Sequence, residues 1–196
     1  MTPTEFFSEL STCNLCKERN LVRRLSRGRD VPVPAEGNFT ARIAFIGRNP
    51  GATEARTLTP FCGAAGDKLN EALITAGIRR GLCYITNVCK CFTPSGVSPS
   101  ITCRDRCTGR WLKRELEQLT ELKLVVTLGN EALQFLEPEG TVSQLHGTSF
   151  NMSVGDSRTT VFVMFHPAAC LYDPRIKQRF FADAAELGKV VKELEL

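Results

Sequence analysis

Arg42-Ile43-Ala44-Phe45-Ile46, running directly into Gly47-Arg48-Asn49-Pro50-Gly51, sets the architecture of this chain. The first five residues are almost continuously apolar and do not alternate with polar ones. A strand with one wet face alternates, whereas a strand covered on both faces reads as a near-continuous apolar run. The glycines and proline that follow end the strand in a tight loop. Three further runs have the same character: Cys83-Tyr84-Ile85-Thr86, Leu124-Val125-Val126-Thr127-Leu128 and Val161-Phe162-Val163-Met164-Phe165. Helical periodicity lies between them, at Asp67 to Ala76, Arg110 to Leu119 and Glu131 to Leu136. A last helix is expected from about Asp173 to Leu194, with Pro174 suited to its first turn. Strands alternating with helices predict an α/β fold whose parallel sheet is covered on both faces.

The chain has 196 residues, enough for a single domain, 1–196, with a substantial core. Its composition, 42% apolar and 23% charged, argues against disorder. The formal net charge of +4 is compatible with a polyanionic partner but decides little by itself. No apolar run is long enough to span a membrane. Nine cysteines without a leading signal-peptide pattern argue against a disulfide framework. They favour thiols kept reduced in the cytoplasm and used for metal ligation. Asn38-Phe39-Thr40 and Asn151-Met152-Ser153 match the glycosylation pattern, but a cytoplasmic chain is not modified there. Residues 17–40 read as an irregular connection, and no internal repeat is visible.

In open α/β sheets ligands bind beyond the carboxyl ends of the strands. Here those ends carry Gly47 to Gly51, Asn87 to Lys90, Gly129-Asn130 and His166-Pro167. No G-x-G-x-x-G spacing and no GK[ST] occurs, so neither a dinucleotide fingerprint nor a phosphate loop is present. Phe61, between Pro60 and a glycine-rich stretch, is either a core aromatic or a platform for a planar base. Asn87 is a turn residue or an amide that reads a nucleobase edge with a donor and an acceptor. His166 is a structural histidine or a donor to a developing anion. His146, before Gly147, reads as a surface residue without a role. Cys13-x-x-Cys16 pairs with Cys91 and Cys107, which have fifteen residues between them. Four thiolates from two loops suit zinc or an iron–sulfur cluster, with Cys103 and Cys89 as competing ligands.

In combination these segments resemble the iron–sulfur uracil-DNA glycosylases, the fourth family of that superfamily. The likeness covers nearly the whole chain: Cys13-x-x-Cys16; Gly47-x-x-Pro50-Gly51; Pro60-Phe61-x-Gly63-x-Ala65-Gly66; Thr86-Asn87-x-x-Lys90-Cys91; Cys107 before Trp111-Leu112; Leu128-Gly129; and His166-Pro167-Ala168. The resemblance implies a three-layer αβα sandwich around a short, mainly parallel four-stranded sheet. It also implies a [4Fe–4S] cluster, with zinc as the alternative, and removal of uracil from single- or double-stranded DNA by a monomer. Cys13, Cys16, Cys91 and Cys107 look like the cluster ligands. Phe61 looks like the residue that stacks on uracil and Asn87 like the one that reads its polar edge, with Gly47 and Arg48 beside them. His166 resembles the histidine that stabilises the uracil oxygen as the bond breaks. Ala168 to Tyr172 resembles a loop that wedges into DNA, with Leu171 as the wedge. Lys90 and Arg48 are expected on DNA phosphates.

The chain also departs from that family. Arg48 stands where the family usually carries glutamate, and Asn49 where it has a small residue. The G-x-N-P-G loop is similar to that of the mismatch-specific and single-strand-selective branches, whose asparagine positions the attacking water. Tyr172 replaces a usual arginine and Leu58 a usual glycine. Asn49 is thus expected to orient water, with Glu54 in reserve for water activation or sugar-cation stabilisation. Otherwise Glu54 is a solvated carboxylate at a helix end. Gly51 is expected to leave space beside the C5 edge of the base. Two other readings compete: a non-catalytic nucleic-acid-binding module that kept the pocket, and a zinc protein sharing only the α/β sheet.

Overall fold

The computed structural model describes residues 2–16, 32–94, 97–154 and 157–196. The expected irregular connection lies outside the described residues as far as position 31. Beyond it, Glu36 pairs with Ile85 in an isolated antiparallel bridge.

The sheet is built from β1 (Ile43–Gly47), β2 (Cys83–Asn87), β3 (Leu124–Leu128), β4 (Ser149–Val154) and β5 (Ser157–Met164), in the order β2-β1-β3-β5-β4. Four of these are the strands expected from sequence, and they run parallel. Every residue of β1, β2 and β3 is buried, which is why those runs do not alternate. The sheet has five strands rather than four. The additional one, β4, pairs antiparallel with β5 at the edge. Its sequence, Ser149-Phe150-Asn151-Met152-Ser153-Val154, alternates polar and apolar because one face is wet.

Helices cover both faces, giving three layers. On one face α3 (Ala64–Ala76) and α8 (Pro174–Glu193) pack Leu69, Leu73, Phe180 and Leu187 against Phe45, Val126 and Phe162. On the other face lie α1 (Pro3–Ser11), α4 (Ile101–Cys107) and α5 (Lys113–Gln118). They bring Phe6, Leu10, Trp111, Leu112 and Leu116 onto Ala44, Ile46 and Val125. α1 begins with Pro3 after a capping box, in which Thr2 Oγ1 accepts from the Glu5 amide and Glu5 accepts from the Thr2 amide. α4 runs through a wide π turn, Thr108–Leu112, into α5, so the periodicity seen from Arg110 marks only the second half of a longer helical segment. Shorter helices are α2 (Ala52–Thr57), α6 (Asn130–Leu136) and α7 (Val142–Leu145). No helix among the described residues is long and apolar enough to cross a membrane.

The register places Gly47 opposite Asn87, and Leu128 opposite Met164. The four parallel strands therefore end at one level. The loops they release meet above that edge.

Candidate active site and thiol pocket

A cleft of about 480 Å³ opens at the carboxyl ends of the parallel strands. This is within the size range of small-ligand sites. Arg48, Asn49, Glu54, Phe61, Asn87, His166 and Ala168 all line it. Residues far apart in the chain thus share one cavity.

Gly47 forms part of the cleft's packing at the end of β1. A Cβ there would lie 2.4 Å from Phe61 Cζ and 2.6 Å from Asn87 Oδ1, so only glycine lets both side chains approach. Phe61 adopts φ +49°, an uncommon conformation for a bulky residue. The turn is completed by Gly66, where a Cβ would meet the Phe61 carbonyl oxygen at 1.8 Å. The Phe61 ring faces that of His166, with centroids 5.8 Å apart and planes inclined by 33°.

Asn87 is buried, and its Oδ1 has no hydrogen-bond partner among the described residues. His166 Nδ1 accepts the Ala168 amide at 3.1 Å. A neutral imidazole that accepts at Nδ1 carries its proton on Nε2, leaving that N–H to donate. Burial first, and then the Arg48 cation, lower the His166 pKa to about 4, with Glu131 pulling the other way. The ring is neutral at physiological pH and can still donate a hydrogen bond from Nε2.

Asn49 is held firmly. Its Oδ1 accepts from Arg48 Nε at 2.9 Å, and its Nδ2 donates to Pro50 O at 3.0 Å and Thr93 Oγ1 at 3.2 Å. Arg48 also reaches Glu131 Oε1 at 3.4 Å, with 41% of its side chain exposed. Glu54 is buried rather than solvated: Oε1 accepts the Gly63 amide at 2.9 Å, at the start of α3. Gly51 lies against this carboxylate, since a Cβ there would stand 2.6 Å from Glu54 Oε2.

Lys90 is not where sequence reasoning put it. It was expected on DNA, but it is 1% exposed and its Nζ forms a 2.5 Å ion pair with Glu115, which is fully buried. No phosphate can reach it there. Sequence reasoning missed Glu115, although a carboxylate among Trp111, Leu112, Leu116 and Leu119 signals a buried partner. Leu171 is 41% exposed but does not line the cleft, while its neighbour Tyr172 lines it and is 86% exposed. His146 is no idle surface residue. Its ring packs 4.6 Å from that of Phe165, and Nδ1 is 2.9 Å from Asp183 Oδ1.

A second, small apolar pocket collects sulfur. Cys13, Cys16, Cys91, Cys103 and Cys107 share its wall with Trp111 and Leu10. No disulfide joins any of the nine cysteines, all of which are among the described residues. Trp111 Nε1 donates to Cys13 Sγ at 3.2 Å and the Lys90 amide to Cys107 Sγ at 3.3 Å, an arrangement that suits thiolates. Cys103 also hydrogen-bonds Cys16, so it sits as centrally as Cys107. Among the described residues no three His, Cys, Asp or Glu side chains form a closed metal shell as they stand. The donor set nevertheless fits a thiolate-ligated group: soft ligands, no disulfides and N–H donors at sulfur.

Comparison with known proteins follows the same lines. The family described as the uracil DNA glycosylase superfamily matches residues 34–187. The type-4 uracil-DNA glycosylase of Archaeoglobus fulgidus is 33% identical over 187 residues, covering 93% of this chain and 89% of its own. The type-4 enzyme of Thermotoga maritima is 36% identical over 141 residues, 71% of each chain. The type-5 uracil-DNA glycosylase of Thermus thermophilus is 32% identical over 155 residues, 67% of this chain and 70% of its own.

Proposed function

The chain belongs to the uracil-DNA glycosylase superfamily, and from that premise we propose that it excises uracil from DNA by hydrolysing the N-glycosidic bond in the cleft between Asn87 and His166. The observation that carries the proposal is the buried Asn87 Oδ1 without a partner. An unsatisfied buried acceptor costs about 1–3 kcal/mol, which a ligand N–H would recover. Uracil offers that donor at N3 and an acceptor at O4, matching both ends of the amide. Cytosine lacks the N3 proton and has an amino group at C4, so it would set donor against donor.

Phe61 stacks on the flipped base, and Gly47 leaves room for both recognition side chains. As the bond breaks, negative charge builds on uracil and positive charge on the sugar. His166 Nε2–H donates to uracil O2, and one such donor is typically worth ~3 kcal/mol, a hundredfold or more in rate. Asn49, locked by Arg48 and Thr93, keeps a lone pair on Oδ1 for the attacking water. An amide is a weak base, but an oxocarbenium-like centre needs only a placed nucleophile. Glu54 supports the sugar cation. Flipping the base costs a few kcal/mol. Arg48 on phosphate, and Ala168 with Leu171 as the wedge, offset part of it.

Cys13, Cys16, Cys91 and Cys107 would hold a [4Fe–4S] cluster, with zinc the alternative occupant and Cys103 the competing ligand. Such a cluster supplies a structural tie between the segment after α1 and the loop after β2. The enzyme would act as a monomer in the cytoplasm on uracil-containing DNA, single- or double-stranded. A non-catalytic module is not favoured, because the relatives matched over most of their length are named as glycosylases.

The test is abasic-site formation from a uracil-bearing oligonucleotide under single-turnover conditions. His166→Ala is expected to lose at least about a hundredfold in rate. Undiminished release by that variant would remove His166 from the mechanism. Wild-type protein releasing no uracil would end the proposal.

A further inference from the structure

The buried pair Lys90–Glu115 has no part in the chemistry above, yet it lies between the two sites. The Lys90 ammonium donates to Thr86 Oγ1 at 2.6 Å, Asn87 O at 2.7 Å and Glu115 Oε2 at 2.5 Å, which uses all three of its protons. Thr86 Oγ1 donates to the same Glu115 oxygen at 2.9 Å. The Lys90 main chain faces the other way. Its amide donates to Cys107 Sγ at 3.3 Å, and its carbonyl accepts the Val33 amide at 2.7 Å. Between these points the Val88 and Cys89 amides donate to Gly47 O and Arg48 O, both at 2.9 Å. One short segment is therefore tied to the thiol pocket at one end and to the cleft at the other.

Burying an ammonium and a carboxylate carries a desolvation penalty of several kcal/mol per ion, and well-packed apolar side chains often do as well or better for stability. Core packing alone does not account for the pair. Its ammonium instead grips the main chain of the residue whose side chain carries the unpartnered acceptor. Catalytic geometry is sensitive to such placement: an error of about 1 Å can cost a hundredfold in rate.

We propose that Lys90 and Glu115 are positioning residues that hold the Asn87 main chain in register with the thiol pocket, and so set where the base-reading amide stands in the cleft. The proposal rests on Asn87 reading the base. Lys90 never meets DNA or uracil. It acts through the Asn87 carbonyl and the Thr86 hydroxyl, and Glu115 fixes the ammonium from α5.

The test compares K90M/E115L, which replaces both charges with apolar side chains, with N87A and with the combined triple variant. Three quantities are read: single-turnover uracil release, inhibition by free uracil, and visible absorbance together with iron or zinc content. K90M/E115L is expected to lose roughly tenfold or more in release and to bind free uracil more weakly by a similar factor, with metal content kept. Adding N87A to it is expected to cost much less than N87A costs alone, because the two changes disable one element. Wild-type release and uracil inhibition in K90M/E115L, or full additivity with N87A, would overturn the proposal. A harmless N87A would instead overturn the assignment of Asn87 itself. If K90M/E115L does not fold, T86V carries the test: it removes one anchor and keeps the ion pair. It is expected to weaken release and uracil inhibition together by about threefold, and wild-type values for both would be fatal.

Discussion

At the scale of single residues, His166 shows how placement converts an ordinary side chain into a specific tool. Free in water its ring would titrate near 6.5; here burial and Arg48 bring that to about 4. The unfolded chain therefore takes up the proton first as pH falls. The stability contributed by the neutral ring is complete above about 6.5 and is lost progressively as the pH drops toward 4. The proposed mechanism needs the same neutral ring with its Nε2 proton. Uracil release under single-turnover conditions should hold level from neutral pH downward, with the acid limb attributable to His166 near 4 rather than near 6.5. An acid limb centred at 6.5, absent in His166→Ala, would show that the ring titrates as an exposed histidine. Asn87 and Glu54 illustrate the limit of reading residues one at a time. Both have polar side chains that serve well in turns or on surfaces, and burial alone gives them their character here. That burial depends on Gly47, Gly63 and Phe61, which no local pattern connects to them.

At the scale of elements, the legible parts were those whose physics is local. β1, β2 and β3 are covered on both faces, so their sequences are apolar without interruption and could be recognised directly. β4 has one wet face and sits at the edge, so its short alternation carries a weaker strand signal than the continuous apolar runs. The helical segment from Ile101 to Gln118 was half seen, because the π turn at Thr108–Leu112 shifts the period in its middle. α1 is not among the helices expected from sequence, yet it seals one face of the molecule. Phe6 is fully buried, with its ring 5.7 Å from Trp111, and Glu9 forms ion pairs with Arg110 and Arg114. Trp111 in turn donates to Cys13 Sγ just beyond the helix. Phe6→Ala should cost about 3–5 kcal/mol, as for other buried phenylalanines. It should also loosen the thiol pocket, because the tryptophan that orders Cys13 rests on that ring. Calorimetry together with metal content will check this. A variant that melts lower with full metal occupancy would confine Phe6 to packing. Lys90 was misplaced for the complementary reason: its partner Glu115 lies on another element, and no spacing between them reveals the pair.

For the whole molecule, the question is what the proposed thiolate-ligated group would do for a fold that already has two hydrophobic cores. Cys13 and Cys16 follow α1, whereas Cys91 and Cys107 bracket the loop and helix after β2. A group held by all four would close a loop of nearly half the chain. Closing so long a loop restricts the unfolded state, and a cross-link of that span is worth roughly 4–5 kcal/mol in chain entropy. For a protein of this size each kcal/mol moves the melting temperature by about 2–4 °C, so removal of the group should lower it by about 8–20 °C. The loss should not stay local. The Lys90 amide donates to Cys107 Sγ, and the Lys90 side chain holds Asn87, so a slackened sulfur pocket would release the strand end proposed to read the base. Chelation, or Cys13→Ala/Cys16→Ala, should therefore lower the melting temperature and weaken inhibition by free uracil in the same preparation. Iron with a broad visible absorbance would identify a cluster, and a colourless protein with stoichiometric zinc the alternative. Melting and uracil inhibition that both survive complete metal loss would reduce the sulfur pocket to a packing feature, and with it the mechanical link between the two sites.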